Sequence, residues 1–236
     1  MPNRTEVTEK QEQAGDQHET TTSKARPTAR RREREREARR LLILARAKNV
    51  FAERGFLNAT VEEIAERSEL AVGTLYRYFQ SKEEIYVSLL FEAMELFRQH
   101  IEAVRGGGAP ADEQLQAVWR FFYDFYREQP EYYRAFMFLH NAGLRDAVSP
   151  DVLIEINRRA GMNFQLVGEI VQAGVDAGIY RSGLDTRSVV DVLWSLLMGL
   201  VQLIETRRNL DVPGEMLETL HREGFEWIER GLRRQA

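Results

Sequence analysis

Thr60–Lys82 reads TVEEIAERSELAVGTLYRYFQSK. Its polar and apolar positions spell a short helix, a tight turn, a second short helix and the start of a third. Thr60 opens the first helix and Glu63 follows three residues later, the pattern of a capping box. Val61, Ile64 and Ala65 then share an inward face, while Glu62, Glu66 and Arg67 point out. Ser68-Glu69-Leu70-Ala71 is the turn. In Val72–Phe79, Leu75 and Phe79 stand four apart for packing. That leaves Thr74, Arg77 and Tyr78 on the open face, with Val72 and Gly73 at the leading end. Ser81 caps a long helix from Lys82 to about Arg105, with Glu84 three residues on. A unit of this kind is a helix-turn-helix, whose second helix enters a major groove.

On the N-terminal side a helix begins at Glu33, with apolar positions at 41, 44, 45, 48 and 51–52. Gly55 ends it. Residues 1 to about 32 have almost no large apolar side chains and read as a disordered tail. Its last part, Lys24, Arg26, Arg30, Arg31 and Arg32, either lies along phosphates or only keeps the chain soluble. The formal net charge of −4 divides unevenly: residues 1–83 hold 17 Lys and Arg against 14 Asp and Glu. Lys24–Lys48 alone carries 11 basic and 3 acidic residues. Attraction for a polyanion is therefore concentrated near the N-terminus, and the acidic remainder disfavours non-specific wrapping.

On the C-terminal side every segment has helical period, so the fold class is all-α. The expected organisation is a polar, basic tail over 1–36, a DNA-binding domain over 37–97 and a larger helical ligand-binding and dimerisation domain over 98–236. Ten of the 23 aromatic residues fall between 119 and 138, too many for one face of one helix. Part of them must be core; the rest suit an aromatic-lined cavity. From helix placement we expect Phe97, His100, Phe122, Tyr126, Phe136, Met137, His140, Phe164 and Trp194 around that cavity. Val189–Ile204 is apolar almost all round, as for a helix buried in a large core or between subunits. Gly224 and Gly231 are small positions seven apart on the last helix, where close approach to another helix is possible.

Several classes are disfavoured. There is no cysteine, so disulfides and thiolate metal sites are out. His18, His100, His140 and His221 show no pair at helical ligand spacing, and no metal or cofactor is expected. Gly106-Gly107-Gly108 follows no strand and precedes no Lys-Ser/Thr, so it reads as a loop rather than a phosphate cradle. No nucleophile and base come together, and an enzyme is not expected. The N-terminus has no secretory apolar region, and Val189–Ile204 is short and interrupted by Asp191. A soluble cytoplasmic protein without a membrane partner is the reading.

The segment from about Glu37 to Phe97 resembles the DNA-binding domain of the TetR family, named for the tetracycline repressor. The residues that carry the resemblance are Phe51, Gly55 and Phe56; Thr60, Val61, Ile64 and Ala65; Val72–Phe79; and Ser81-Lys82. The most specific element is Gly-Thr-Leu-Tyr-x-Tyr-Phe followed by x-Ser-Lys. Two positions depart from the family pattern: Glu69 stands where a turn glycine is usual, and Ala71 where a capping serine is usual. The resemblance implies that Thr60 and Lys82 hold phosphates and that Tyr76 and Tyr78 donate to the DNA backbone. Val72, Gly73, Thr74 and Arg77 would lie nearest base edges, with Arg77 on either a guanine or a phosphate. It further implies a homodimer joined through the last two helices, binding a palindromic double-stranded DNA operator as a repressor. A hydrophobic small molecule, either a fatty acyl thioester or an aromatic, drug-like compound, would release it by moving the helix that starts at Lys82. The alternative is a dimeric helical protein whose basic head docks on an acidic protein partner.

Overall fold

The computed structural model describes residues 27–139, 145–208 and 215–233. Among these the chain is helical: α1 (Pro27–Asn58), α2 (Val61–Arg67), α3 (Val72–Leu75), α4 (Lys82–Gly106), α5 (Ala111–Glu128), α6 (Pro130–Phe138), α7 (Pro150–Asp176), α8 (Thr186–Arg208) and α9 (Glu215–Leu232). Tyr180 and Arg233 form an isolated antiparallel bridge.

α1 begins at Pro27, earlier than the tail boundary at 36 and the helix start at Glu33 expected from the sequence. Of the described residues, 27–39 form one compact unit and those from Arg40 another. Within the first, the Arg31 guanidinium donates to Glu35 Oε1 at 2.7 Å, one helical turn away. Arg, Glu and Ala are good helix formers, so this stretch is helical without an apolar stripe. The buried face of α1 also differs from the expected one. Ile43, Leu44, Ala47, Val50 and Phe51 are buried, whereas Leu41 is 56% exposed. The stripe therefore follows 43, 47, 50 and 44, 51, a clean 3.6-residue period.

Gly55 has φ 72 and ψ 165, a conformation that side-chain-bearing residues avoid. It breaks α1 ahead of Phe56, whose ring then meets Tyr86 at 5.0 Å and Phe138 at 4.5 Å. α2 starts as expected, with Thr60 Oγ1 accepting from the Glu63 amide at 3.1 Å. The other half of the capping box is missing. The Glu63 carboxylate turns to Arg67 at 2.9 Å and to Arg54 at 3.3 Å. Arg67 also holds Glu53 through two bonds, at 2.8 and 2.6 Å, which fastens α2 to α1. That guanidinium keeps the Glu53 carboxyl below the usual range.

The turn carries both departures seen in the sequence. Glu69 has φ 56, and Ala71 precedes α3 with no side-chain cap. A non-glycine residue in the left-handed region costs about 1–2 kcal/mol, and a missing serine cap about 1 kcal/mol. Glu69→Gly and Ala71→Ser are each expected to raise stability by about 1 kcal/mol. Urea denaturation of the two variants checks this, and an unchanged midpoint in both would refute the turn assignment.

Two apolar clusters build the core. One gathers α1 to α4 around Ile43, Val50, Ile64, Leu75, Phe79 and Leu89, and extends to Phe125, Tyr132, Ala135, Val148, Val152 and Ile156. The other joins α5, α7, α8 and α9 around Leu115, Trp119, Ile170, Tyr180, Leu193 and Phe225. Phe97 packs against both. α4 lies along α7 and α6, and α8 packs against α7 and α9.

Candidate nucleic-acid interface and effector cavity

α3 is shorter than the Val72–Phe79 helix expected. Its regular part ends at Leu75, and the chain continues as tight turns, with the Arg77 amide donating to Thr74 O at 3.1 Å and the Tyr78 amide to Leu75 O at 2.9 Å. Leu75 and Phe79 are buried beneath it. Gly73 and Arg77 are exposed, Tyr76 is 50% exposed, and Val72, Thr74 and Tyr78 are half-buried. A Cβ added at Gly73 would meet nothing within 4 Å, so no packing inside the protein demands glycine there. The leading edge of α3 is thus open, with Tyr76 and Arg77 beside it.

Thr60 is exposed at the start of α2. Its hydroxyl oxygen caps the helix, and its proton remains available to a phosphate. Lys82 has a structural task that the sequence did not disclose. Its ammonium donates to Phe56 O and Ala59 O, each at 2.9 Å, and sits 4.4 Å from the centre of the Phe56 ring. One of its three N–H groups is left for an outside acceptor. Ser81 is also doubly used: its Oγ accepts from the Glu84 amide at 3.0 Å and donates to Ala147 O at 2.8 Å. The start of α4 is therefore tied both to the end of α1 and to the approach to α7.

A cavity of about 360 Å³ lies among α4 to α8. Phe97, Phe122, Tyr126, Phe136, Phe164 and Trp194, all named from sequence, line it. Trp194 is their hub, with the rings of Phe122, Phe136 and Phe164 at 5.4 to 5.6 Å. His100 lies outside the lining, because Phe97 and Ile101, one turn apart, take the cavity face of α4. Its ring stacks instead on Phe121 at 3.8 Å, and burial pushes its pKa down. Met137 is also outside the lining: α6 offers Tyr132, Tyr133 and Phe136 to the cavity. His140 lies outside the described residues. The polar lining residues Gln129, Asn157 and Asn163 were not anticipated. A lone amide among apolar neighbours carries no periodic signal.

Phenols fix the walls. Tyr133 Oη donates to Gln202 Oε1 at 3.0 Å, joining α6 to α8. Burial pushes the Tyr133 phenol up to about 12, so it stays a donor. Tyr126 reaches Glu205 on α8 in the same way, at 2.5 Å. Beside the cavity, and sharing Met94 and Asn163 with it, is a polar recess of about 150 Å³. Its Arg98, Arg158 and Arg159 are each paired with Glu95 or Glu155.

His221 of α9 joins that helix to the cavity wall. Its ring stacks on Tyr123 at 4.5 Å and on Trp119 at 5.0 Å. Nε2 lies 3.1 Å from Trp119 O, and Trp119 Nε1 donates to His221 O at 3.0 Å. The neutral Nε2–H tautomer makes the first bond. Burial pushes the His221 pKa down, partly opposed by that bond. The folded chain therefore resists a proton that the unfolded chain accepts near pH 6.5. Stability should be level above about pH 7 and fall on acidification below the unfolded-state value of about 6.5. His221→Gln, which keeps an N–H donor, should lessen the fall; His100, shifted the same way, accounts for some of the remainder. Melting temperatures from pH 8 to 5 check this, and an identical acid slope in the variant would refute it.

α8 and α9 leave apolar surface uncovered. Thr186–Arg207 has mean hydropathy 1.6 and is long and apolar enough to cross a membrane by length and composition, yet only 22% of its most apolar window is buried. Val192 is 57% exposed and Trp227 65% exposed. The two small positions have different surroundings. A Cβ on Gly224 would meet Leu196 at 3.4 Å and Leu200 at 3.8 Å in the same chain, whereas one on Gly231 would meet nothing.

Comparison with known proteins agrees with this geometry. Residues 43–89 match the family described as bacterial regulatory proteins, tetR family, and residues 115–223 match the tetracyclin repressor-like C-terminal domain. The HTH-type transcriptional repressor NicS of Pseudomonas putida is 25% identical over 139 residues, which cover 59% of this chain and 64% of that protein. The fatty acid metabolism regulator protein of Bacillus subtilis is 38% identical over 76 residues, covering 32% of this chain and 39% of that protein. The chain thus spans less than two thirds of the length of either relative. A crystal structure of the transcriptional regulator FadR from Bacillus subtilis in complex with stearoyl-CoA superposes with a TM-score of 0.60 at 24% identity, over 82% of this chain and 99% of that one. With an N-terminal and a C-terminal family match in the expected order, on a helix-turn-helix followed by a cavity-bearing helical bundle, the chain belongs to the TetR family of transcriptional regulators.

Proposed function

We propose that the protein is a homodimeric transcriptional repressor, acting in the cytoplasm, that leaves a palindromic operator when an apolar small molecule enters the cavity. The observation that carries this reading is the pairing, in one chain, of an open reading helix with an aromatic-lined cavity of about 360 Å³. That volume falls in the range of small-molecule sites. Val72, Gly73, Thr74 and Arg77 approach base edges, Thr60, Tyr76, Tyr78 and Lys82 hold the DNA backbone, and the two heads reach grooves about 34–36 Å apart. Dimerisation through α8 and α9 covers the apolar surface that one protomer leaves open. The stearoyl-CoA complex of the structurally similar FadR favours a fatty acyl thioester over an aromatic drug as the effector class.

Gly73→Ala separates reading from folding. The added methyl meets no protein atom, and alanine is favoured over glycine in a helix by about 0.8–1 kcal/mol. Thermal stability should stay level or rise, while affinity for the duplex selected by the wild-type protein falls at least about 10-fold, since close base approach is lost. Tyr76→Phe should weaken all duplexes alike, and Thr74→Ala should mainly change sequence preference. Fluorescence anisotropy on selected and scrambled duplexes measures these effects. The effector reading is tested by adding acyl thioesters of graded chain length to the protein–operator complex. If no acyl thioester or aromatic compound released the DNA, the effector assignment would be wrong. If the wild type did not prefer any duplex over a scrambled one, the regulator reading would go with it.

A further inference from the structure

Lys48 sits on α1, on the DNA-reading side of the molecule, yet its ammonium is held by the cavity wall. Nζ donates to Tyr132 Oη at 2.9 Å and lies 3.4 Å from Gln129 Oε1. It also faces Glu92 of α4 at 3.4 and 3.5 Å. Gln129 and Tyr132 both line the cavity. Gln129 is the single residue between α5 and α6, with φ −139 and ψ 64, so it is the elbow of those two helices. An ammonium can only donate, so the amide oxygen of Gln129 must face Lys48. The amide N–H₂ then has no protein acceptor among the described residues. Gln129 thus spends its acceptor on α1 and keeps its donors for something else, on a wall with few other polar groups.

Continuing along α6, Phe138 packs at 4.5 Å on Phe56, the same ring that lies under the Lys82 ammonium. α6 therefore contacts the reader at both ends. At its end sits an aromatic plug, and at its start sits a cation held by the Tyr132 hydroxyl and the Gln129 amide oxygen.

We propose that Lys48 is the positioning residue through which occupancy of the cavity reaches the DNA-reading helices. An effector bearing a carbonyl, carboxylate or sulfonate oxygen takes the free amide N–H of Gln129, turns the α5–α6 elbow, and withdraws two of the Lys48 acceptors. This rests on the effector-responsive reading above and narrows it. An apolar molecule without an acceptor oxygen fills the cavity but does not signal. The Lys48 contacts favour the operator-binding arrangement, and the effector favours the other, so the two must be linked reciprocally.

The test uses full-length protein, the duplex selected by the wild type, and 1-anilinonaphthalene-8-sulfonate as the cavity probe. Lys48→Met keeps the aliphatic stem and removes the cation. It should bind the operator about 10-fold more weakly and the probe about 10-fold more tightly, because one population shift drives both. A purely structural role would weaken both. Tyr132→Phe removes one acceptor and should shift both affinities in the same opposed directions by a smaller factor; it also serves if Lys48→Met does not fold. Unchanged operator affinity, or probe affinity that stays level or falls with it, overturns the role of Lys48. In the wild type, saturating operator should weaken probe binding. Independence of the two there would overturn the effector-responsive reading and this inference together, whereas intact wild-type linkage without opposed shifts in the variants overturns this inference alone.

Discussion

Trp227→Glu is expected to turn the proposed dimer into monomers and to weaken operator binding at least about 100-fold, because a second head tethered to the first acts at millimolar effective concentration. Trp227 is 65% exposed on α9, and the neighbouring α8 carries Val192 at 57% exposed within a strongly apolar stretch. Large apolar side chains left exposed on two neighbouring helices suit a surface that a partner covers. Large aromatic residues dominate the energetics of an interface, and a carboxylate in that place leaves a charge to be desolvated on association. Each monomer should keep its helix content and its cavity, since Trp227 contributes to neither apolar cluster. Sedimentation measures the mass and anisotropy the affinity. A variant that remained a dimer and bound the operator normally would show that α9 is not the seam.

Gly174→Ala should destabilise the fold by about 2–3 kcal/mol, the cost of overpacking a closed core. Near the C-terminal end of α7 the chain folds back, and the amides of Ile179 and Tyr180 both donate to Gly174 O, at 2.9 and 3.0 Å. The Tyr180 ring then lies directly over Gly174. A Cβ there would stand 2.3 and 2.4 Å from two ring carbons. Tyr180 is 1% exposed and cannot swing away without opening the core. The melting temperature should fall by roughly 4–12 °C for a chain of this size. Gly161→Ala on the same helix is the control: its Cβ meets nothing, so a helix gain of up to about 1 kcal/mol is expected instead. Equal effects of the two substitutions would disprove the contact argument.

The reader was legible in the sequence because short helices announce themselves by caps and spacing. Thr60 and Ser81 cap where expected, and Leu75 and Phe79 are the buried pair. The strain at Glu69, with φ 56, could be anticipated only through the family resemblance, which puts a turn glycine at that position. The end of the long helix after Ser81 was also readable, from the glycine run that begins at Gly106. The cavity was readable only as a class. Six of the nine residues named for it line it, because aromatic density marks the region. Which face of α4 or α6 turns inward is set by tertiary packing, and there His100 and Met137 fall on the wrong side. Lys48, Gln129 and the Lys82 carbonyl cage were not legible. Each joins residues more than 20 positions apart, and a charged or amide side chain in a helix has no periodic signature.

The first apolar cluster has a consequence for engineering. The sequence suggests a cut at 97/98, after which the reader could be grafted onto another sensor. Phe125, Tyr132 and Ala135, with Val148, Val152 and Ile156, belong to the same buried cluster as Ile43, Val50 and Leu89. A hybrid joined at 97 discards half a dozen core side chains and exposes the faces they covered. The transferable cassette is not contiguous in the chain. It consists of α1 to α4 together with Phe125 of α5, the inner face of α6, and Val148 with the beginning of α7, so swaps of specificity are better made by rewriting the open edge of α3 in place.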